Sequence, residues 1–318
     1  MSRDATPPGV LVTGGAGFLG SHLVDRLLAE SRPVDVIDDL STGSLANLSE
    51  ARSHAAGDLK FHHVDVRSPD LTELFQRRRP GIVYHLAVIA PGQSGPEGVE
   101  IAVAGTINVL DAARLGGVRK VVVALPALAL YGAVSARDMP LKEGCPFTPV
   151  TLSGVAARTV VDLLSVYRAD YSLEFTALAM TEVYGPRQRP SDGTVAAIVD
   201  AMVEGSPPRV PGDGRQGRDF LYVDDAVDAL VRAGERGSGL VVNVGSGEIT
   251  AVRTVVDFVH PPGTVLQSSG PKPVGEPDRF SVSPVRARIH LSWAPWTTLR
   301  EGVAMTRAVA EAQRNRSS

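Results

Sequence analysis

Gly14, Gly17 and Gly20 stand at intervals of three between an apolar run, Val10-Leu-Val-Thr13, and an amphipathic stretch that opens at Ser21. Glycine has no Cβ, so a turn built this way is tight and lets the backbone approach a pyrophosphate. The phosphate charge then lies against exposed N–H groups and the positive end of the following helix. Gly14, Gly17, Phe18, Leu19 and Gly20 are therefore expected to cradle the two phosphates of a dinucleotide. Asp38 closes the next apolar run, Val34-Asp-Val-Ile37, 18 residues beyond Gly20, where a carboxylate accepts both hydroxyls of an adenosine ribose. Asp39, Leu40 and Ser41 follow with no arginine among them. A 2′-phosphate would meet two carboxylates and no cation, so NAD is favoured over its phosphorylated form. Asp65-Val66, after a third apolar run, is placed to flank an adenine, and a turn-forming aspartate is the plainer reading of the same residue.

Such a site needs parallel strands that end together. Short apolar runs at 10–13, 34–37, 61–64, 82–86 and 121–124 alternate with amphipathic stretches, the pattern of βα units on a sheet covered on both faces. Ser21 to Ala29 and Val99 to Leu115 each set apolar residues on one helical face. A longer helix is expected over 149–170 and a strand over 175–179. Further on the alternation breaks up, and residues 261–280 hold five prolines and three glycines, which suits a loop rather than a regular element. The fold class expected is α/β, a Rossmann-type doubly wound parallel sheet with a smaller C-terminal α/β lobe for the substrate. The dinucleotide domain would span 1–180, with returning segments near 216–247, and the lobe 181–318.

Composition narrows the partners. Among 318 residues, Lys+Arg 32 against Asp+Glu 35 leaves a net charge of −3, so nothing points to a nucleic acid. The single cysteine, Cys145, can build neither an internal disulfide nor a thiolate metal cluster. His62 and His63 alternate faces on a strand and cannot chelate one ion together, so no metal is expected. The N-terminus lacks the apolar core of a signal peptide, and no stretch is long and apolar enough to span a bilayer. A cytoplasmic protein without membrane contact is expected.

With these residues in view, the chain resembles the extended short-chain dehydrogenases/reductases, in particular the NAD-dependent nucleotide-sugar epimerases and dehydratases. The resemblance rests on Thr13 to Ser21, Asp38-Asp-Leu-Ser-Thr-Gly43, Val83-Tyr-His-Leu-Ala87, Gly105-Thr-Ile-Asn-Val-Leu110, Leu130-Tyr-Gly132 and Val183-Tyr-Gly-Pro-Arg-Gln188. It continues through Gly212-Asp-Gly-Arg-Gln-Gly-Arg-Asp-Phe220, Tyr222-Val-Asp-Asp225, Asn243-Val-Gly-Ser-Gly247 and Leu291-Ser-Trp-Ala-Pro295. It implies an NAD site that adds Asp39, Ser41, Thr42, Gly43, Asp65, Val66, Leu86, Ala87 and Val88 to the glycine turn and Asp38. It also implies a nucleotide-sugar substrate and a homodimer built on the helices of 97–115 and 149–170.

The resemblance departs at the residues that do the family's chemistry. Its serine falls on Ala127, and its Tyr-x-x-x-Lys falls on Ser153 and Ala157; no such tyrosine-lysine pair occurs anywhere in the chain. A serine hydroxyl without a nearby cation is no base at neutral pH. Tyr131, Glu143, Ser153 and Glu182 are the polar groups that the family layout brings nearest to the nicotinamide, and Tyr131, Ser153 and Glu182 are the candidate catalytic residues. On the substrate side the family's phosphate-facing asparagine is replaced by Glu182, Arg218 is kept, and a later arginine is replaced by Pro273. Glu182, Arg187, Arg218, Lys272 and Arg279 are the candidate substrate-binding residues, Glu182 either pairing with Arg187 or Arg218 or marking a different ligand. His85 has no partner evident in the sequence and reads as a packed core histidine. Two functions stay open: an epimerase- or dehydratase-like enzyme of non-standard mechanism, and a non-catalytic protein that binds NAD or a nucleotide sugar.

Overall fold

The computed structural model describes residues 9–54, 58–89, 95–261, 263–271 and 276–317. Its centre is a seven-stranded sheet built from β1 (Val10–Thr13), β2 (Val34–Asp38), β3 (Leu59–His63), β4 (Ile82–His85), β5 (Lys120–Pro126), β6 (Glu174–Met180) and β11 (Leu240–Val244). The strand order is β11-β6-β5-β4-β1-β2-β3, and every pairing is parallel. Successive side chains of a strand point to opposite faces. Val10, Val12, Val34, Val36 and Val122 accordingly join one apolar core, while Leu11, Ile37, Val83, Val121 and Val123 join a second on the other face.

Helices cover both faces. In the first half they are α1 (Phe18–Ala29), α2 (Ser49–His54), α3 (Leu71–Arg78), α4 (Pro96–Glu100), α5 (Thr106–Leu115), α6 (Ala127–Tyr131) and α7 (Leu152–Tyr171). The single helix expected from Val99 to Leu115 is interrupted by a π-turn at Ile101–Gly105. That turn seats Gly105 against Val66, whose Cγ2 would lie 2.7 Å from an added Cβ. The third strand runs 59–63 rather than 61–64, because Leu59 already pairs with Val34.

Beyond β6 the elements are short. Strand β7 (Glu182–Tyr184) pairs with β10 (Phe220–Tyr222), β8 (Arg209–Val210) with β13 (Gln267–Ser268), and β9 (Gly217–Arg218) with β12 (Thr250–Ala251). Around them lie α8 (Thr194–Glu204), α9 (Val223–Glu235), α10 (Val252–Val259), α11 (Val285–Leu291) and α12 (Leu299–Ser317). The stretch read as a loop over 261–280 thus contains the two-residue strand β13. Chain order reverses between β1 and β4, and a crevice outside the carboxyl ends of the strands forms at such a reversal. Among the described residues no helix is long and apolar enough to cross a membrane, and no group of three or more His, Cys, Asp or Glu is placed to hold a metal ion.

Candidate active site

A cavity of about 1070 Å³ opens at that reversal. This exceeds the roughly 300–1,000 Å³ of a site for one drug-sized molecule, so a dinucleotide and a second ligand can be accommodated together. Its lining includes Gly14, Gly17, Phe18, Leu19, Gly20, Asp38, Asp39, Ser41, Thr42, Asp65, Val66, Leu86, Ala87 and Val88. Gly14 adopts φ +70°, and a Cβ there would stand 2.9 Å from the Ala87 nitrogen; at Gly20 it would stand 2.1 Å from the Gly14 carbonyl oxygen. The head of α1 is therefore pressed onto the turn, with backbone where side chains would otherwise block a phosphate. Gly43 lies behind the lining, where a Cβ would come within 2.9 Å of the Ala16 carbonyl carbon, so it shapes the Asp38 loop without facing the cavity.

Asp38 is held by two backbone donors: its Oδ2 accepts from the Ala16 N–H at 2.9 Å and its Oδ1 from the Leu40 N–H at 2.8 Å. Burial pushes its pKa up and those two bonds oppose the shift. A carboxylate has about four acceptor positions, so this one can be anchored to the glycine turn and still accept ribose hydroxyls. Asp65 is engaged differently. Arg67 grips it at 2.6 Å and holds its carboxyl below the usual range. The turn, the anchored Asp38 and the size of the cavity together fit the dinucleotide expected from the sequence.

Beneath the turn lies His85, fully buried, with Nδ1 2.7 Å from Thr13 Oγ1 and Nε2 3.1 Å from Thr106 Oγ1. Burial pushes its pKa down to about 3, so the ring stays neutral and pins β1, β4 and α5 together. Its partners lie 72 and 21 residues away in the chain, and no local pattern announces them.

Two of the three candidate catalytic residues lie off the cavity. Tyr131 is fully buried, and its phenol donates to Asn243 Oδ1 at 2.8 Å while Phe147 and Phe280 pack on the ring. Burial raises its pKa further, so it holds its proton in the core. Ser153 sits at the head of α7, its Oγ 3.1 Å from Oγ1 of Thr151, the residue that caps the helix; it too is absent from the lining. Glu143, which the layout also brought near, instead accepts from the Asn243 N–H at 3.0 Å and faces Arg286 at 3.6 Å. The wall that holds Ala127, where the family's serine would stand, is formed by Ala124, Leu125, Pro126, Ala127 and Leu128. Ala157 is fully buried and does not reach the cavity.

Glu182 does face the cavity. It opens β7, with only Thr181 between it and the end of β6, and its Oε1 accepts from the Thr194 N–H at the head of α8, 3.0 Å away. Burial pushes its pKa up, against the Thr194 bond and the charge of Arg218. The arginines expected to meet it are committed elsewhere. Arg187 pairs with Asp25 at 2.6 Å and with Glu50 at 3.5 Å, and Arg218 pairs with Glu276 at 2.7 Å while donating to the Gly217 and Pro277 carbonyls. Arg279 is exposed, bridges Gly217 through its backbone and is not in the lining; Lys272 falls outside the described residues.

Two of the charged lining residues that the sequence did not single out are Arg209 and Asp219. Arg209 opens β8, and nothing in its local sequence marks it. Asp219 is buried and accepts from Ser246 N–H at 2.8 Å, Ser246 Oγ at 2.6 Å, Gly247 N–H at 3.0 Å, Val282 N–H at 3.3 Å and Thr181 Oγ1 at 3.4 Å. Burial nonetheless pushes its pKa up to about 6. The signal was the presence of both the Arg-Asp-Phe and the Gly-Ser-Gly block in one chain, which only the fold joins.

Against known proteins, the model of the NAD dependent epimerase/dehydratase family matches residues 10–245. The UDP-glucose 4-epimerase of Mycolicibacterium smegmatis is 37% identical over 311 residues, covering 93% of this chain and 96% of that protein. Among solved structures, UDP-glucose 4-epimerase of Thermotoga maritima with UDP-glucose has a TM-score of 0.88 at 30% identity, over 98% of this chain and 100% of that one. The Thermus thermophilus UDP-glucose 4-epimerase in complex with NAD has a TM-score of 0.85 at 32% identity, over 95% and 98% of the two chains.

Proposed function

The chain belongs to the NAD dependent epimerase/dehydratase family, and from that premise we propose that it is an enzyme acting on a nucleotide-linked sugar, with Glu182 handling the proton in place of the family's tyrosine. NAD is the family's cofactor, and when bound it supplies a two-electron hydride acceptor and donor. The glycine turn would hold its pyrophosphate and Asp38 its adenosine ribose. The UDP-glucose of the Thermotoga maritima enzyme supports the substrate class, and the family description leaves isomerase, lyase and oxidoreductase chemistry within reach.

One observation carries the role of Glu182. Of the carboxyls that line the cavity, Asp65, Asp192 and Glu276 are paired with arginines, Asp219 takes five donors, and Asp38 and Asp39 lie at the ribose end. Glu182 is left with the backbone N–H and the side-chain hydroxyl of the one residue Thr194, and no arginine or lysine within ion-pair distance among the described residues. A desolvated carboxyl of raised pKa holds a proton closer to neutrality than a free one, which is what a general acid-base group needs. An apolar wall from Ala124 to Leu128 lines the same cavity. Those alanines, equally, are what a binding protein without turnover would carry.

The experiment is to purify the protein, identify its bound nucleotide and follow UDP- and TDP-sugars with the parent and with Glu182→Gln. The parent is expected to turn over one of them. The variant should be about 10²–10⁴-fold slower with NAD content unchanged. A variant as fast as the parent removes Glu182 from the chemistry. A parent that binds NAD and the sugars without converting any is the non-catalytic protein. We also propose that two copies pair across α5 and α7, as the family layout implies.

A further inference from the structure

We infer that the sugar of the ligand is a 6-deoxyhexose, its methyl group seated on an apolar wall at the carboxyl ends of β4, β5 and β6, an inference resting on the sugar-nucleotide reading above. These strands are neighbours in the parallel sheet, so the residues that follow them arrive on one side of the cavity. Residues 86–89 beyond β4 are Leu-Ala-Val-Ile, residues 124–128 at the end of β5 and the head of α6 are Ala-Leu-Pro-Ala-Leu, and Met180 closes β6. All of them line the cavity, and Phe280 joins them. No side chain among them carries an N–H, an O–H or an oxygen.

Two polar residues come next, Thr181 and Glu182, and both line the cavity. The Thr181 hydroxyl already has acceptors in the Asp219 carboxylate at 3.4 Å and the Val244 carbonyl at 3.5 Å. The hydroxyls that could have served a sugar instead are turned away, Tyr131 onto Asn243 Oδ1 in the core and Ser153 onto Thr151 at the head of α7. Among the described residues at the ends of these three strands, Glu182 is the one side chain with acceptor capacity to spare. A hexose linked to its nucleotide through C1 carries hydroxyls on the ring and a further one on the exocyclic C6. One ring hydroxyl must stay for the chemistry proposed above, and Glu182 is there to meet it. Any hydroxyl pressed against the wall gives up water and finds no partner, and a hydrophobic pocket rejects such a group by up to about 100-fold. The exocyclic carbon is the one that can become a plain methyl without altering the ring, and a methyl gains contacts on the wall where a hydroxyl loses hydrogen bonds. Ala127 belongs to the same pattern, since it leaves a methyl group where the family's serine would offer a donor.

Calorimetric titration of the NAD-loaded protein with UDP, TDP and the glucosyl and 6-deoxyglucosyl esters of each tests this. Within a pair the esters differ by one hydroxyl, and the 6-deoxyglucosyl ester should bind about fivefold tighter or more. Ala127→Ser and Leu128→Gln each return a hydrogen-bonding group to the wall, and at least one of them should narrow that gap about threefold with NAD content unchanged. A smaller gap in the parent, a preference for the glucosyl ester, or a gap that neither variant narrows overturns the inference and leaves the sugar-nucleotide reading standing. A parent that binds none of these compounds overturns both.

Discussion

Asp219 and His85 are buried titratable groups with opposite effects on stability. The carboxyl of Asp219 has an ordinary value of 3.8 and is pushed up to about 6 in the fold. Between those values the unfolded chain is ionised while the folded chain keeps the proton, so folding takes a proton up. Its stabilising share is complete below pH 3.8 and is lost as the pH rises through 6, at up to about 1.4 kcal/mol per pH unit. His85, pushed down from 6.5 to about 3, contributes the reverse, a share complete above 6.5 and lost as the pH falls toward 3. Asp219→Asn replaces an acceptor of five donors with an amide that can accept at its one oxygen, and should cost about 1–3 kcal/mol. Urea melts at pH 4 and pH 7 should show the gap between parent and variant wider at pH 4; a wider gap at pH 7 contradicts the shift. The sequence exposed neither residue's role, because a carboxylate's donors and a histidine's threonines are gathered from segments far apart in the chain. Glu182 was visible only because a family pattern marked its position. Tyr131, marked the same way, proved to be spoken for by Asn243.

Close approach between elements explains how the altered wall is built. Gly132 adopts φ +65°, and a Cβ there would lie 2.1 Å from the Thr148 carbonyl oxygen; a Cβ on Gly154 would lie 2.2 Å from that of Ala129. These two glycines bring the head of α7 onto α6, which is how Ala127 and Ser153 come to share a neighbourhood although only Ala127 reaches the cavity. Gly154→Ala must drive the helices apart and should cost about 1–3 kcal/mol. Gly144→Ala, with nothing within 4 Å of the new carbon, serves as the control and should leave the urea midpoint unchanged. Equal midpoints for the two variants would mean that the α6–α7 contact yields without cost. At this scale the sequence was informative where an element repeats its own period. The runs at Val10, Val34, Ile82 and Val121 became strands, and the glycine turn between β1 and α1 was readable because spacing and flanking elements agreed. Strands β8 and β13, two residues each, have no period to read. The π-turn ends at Gly105, packed against Val66, a neighbour that no local pattern contains.

For the whole molecule, alternation of strand and helix announced a doubly wound sheet, yet the placement of β11 beside β6 and the meeting of Arg209, Glu182 and Glu276 around one cavity depend on contacts between remote segments. The same holds for the outer surface. Val155 and Val166 are 50% and 51% exposed on α7, and Ile107 and Leu115 are 39% and 49% exposed on the neighbouring α5. Residues 155 and 166 are eleven apart, three helical turns, so they share one face of a helix about 30 Å long. A soluble monomer rarely leaves such an apolar face uncovered, and a two-fold pairing would set α7 against its own copy, doubling the effect of any change made there. Light scattering on the parent should therefore give twice the chain mass of 33.5 kDa, while Val155→Glu with Val166→Glu, which sets four carboxylates into the shared face, should give 33.5 kDa with NAD content unchanged. A parent already at the single-chain mass would show that this face is not where two copies meet, and that the cavity is complete within one chain.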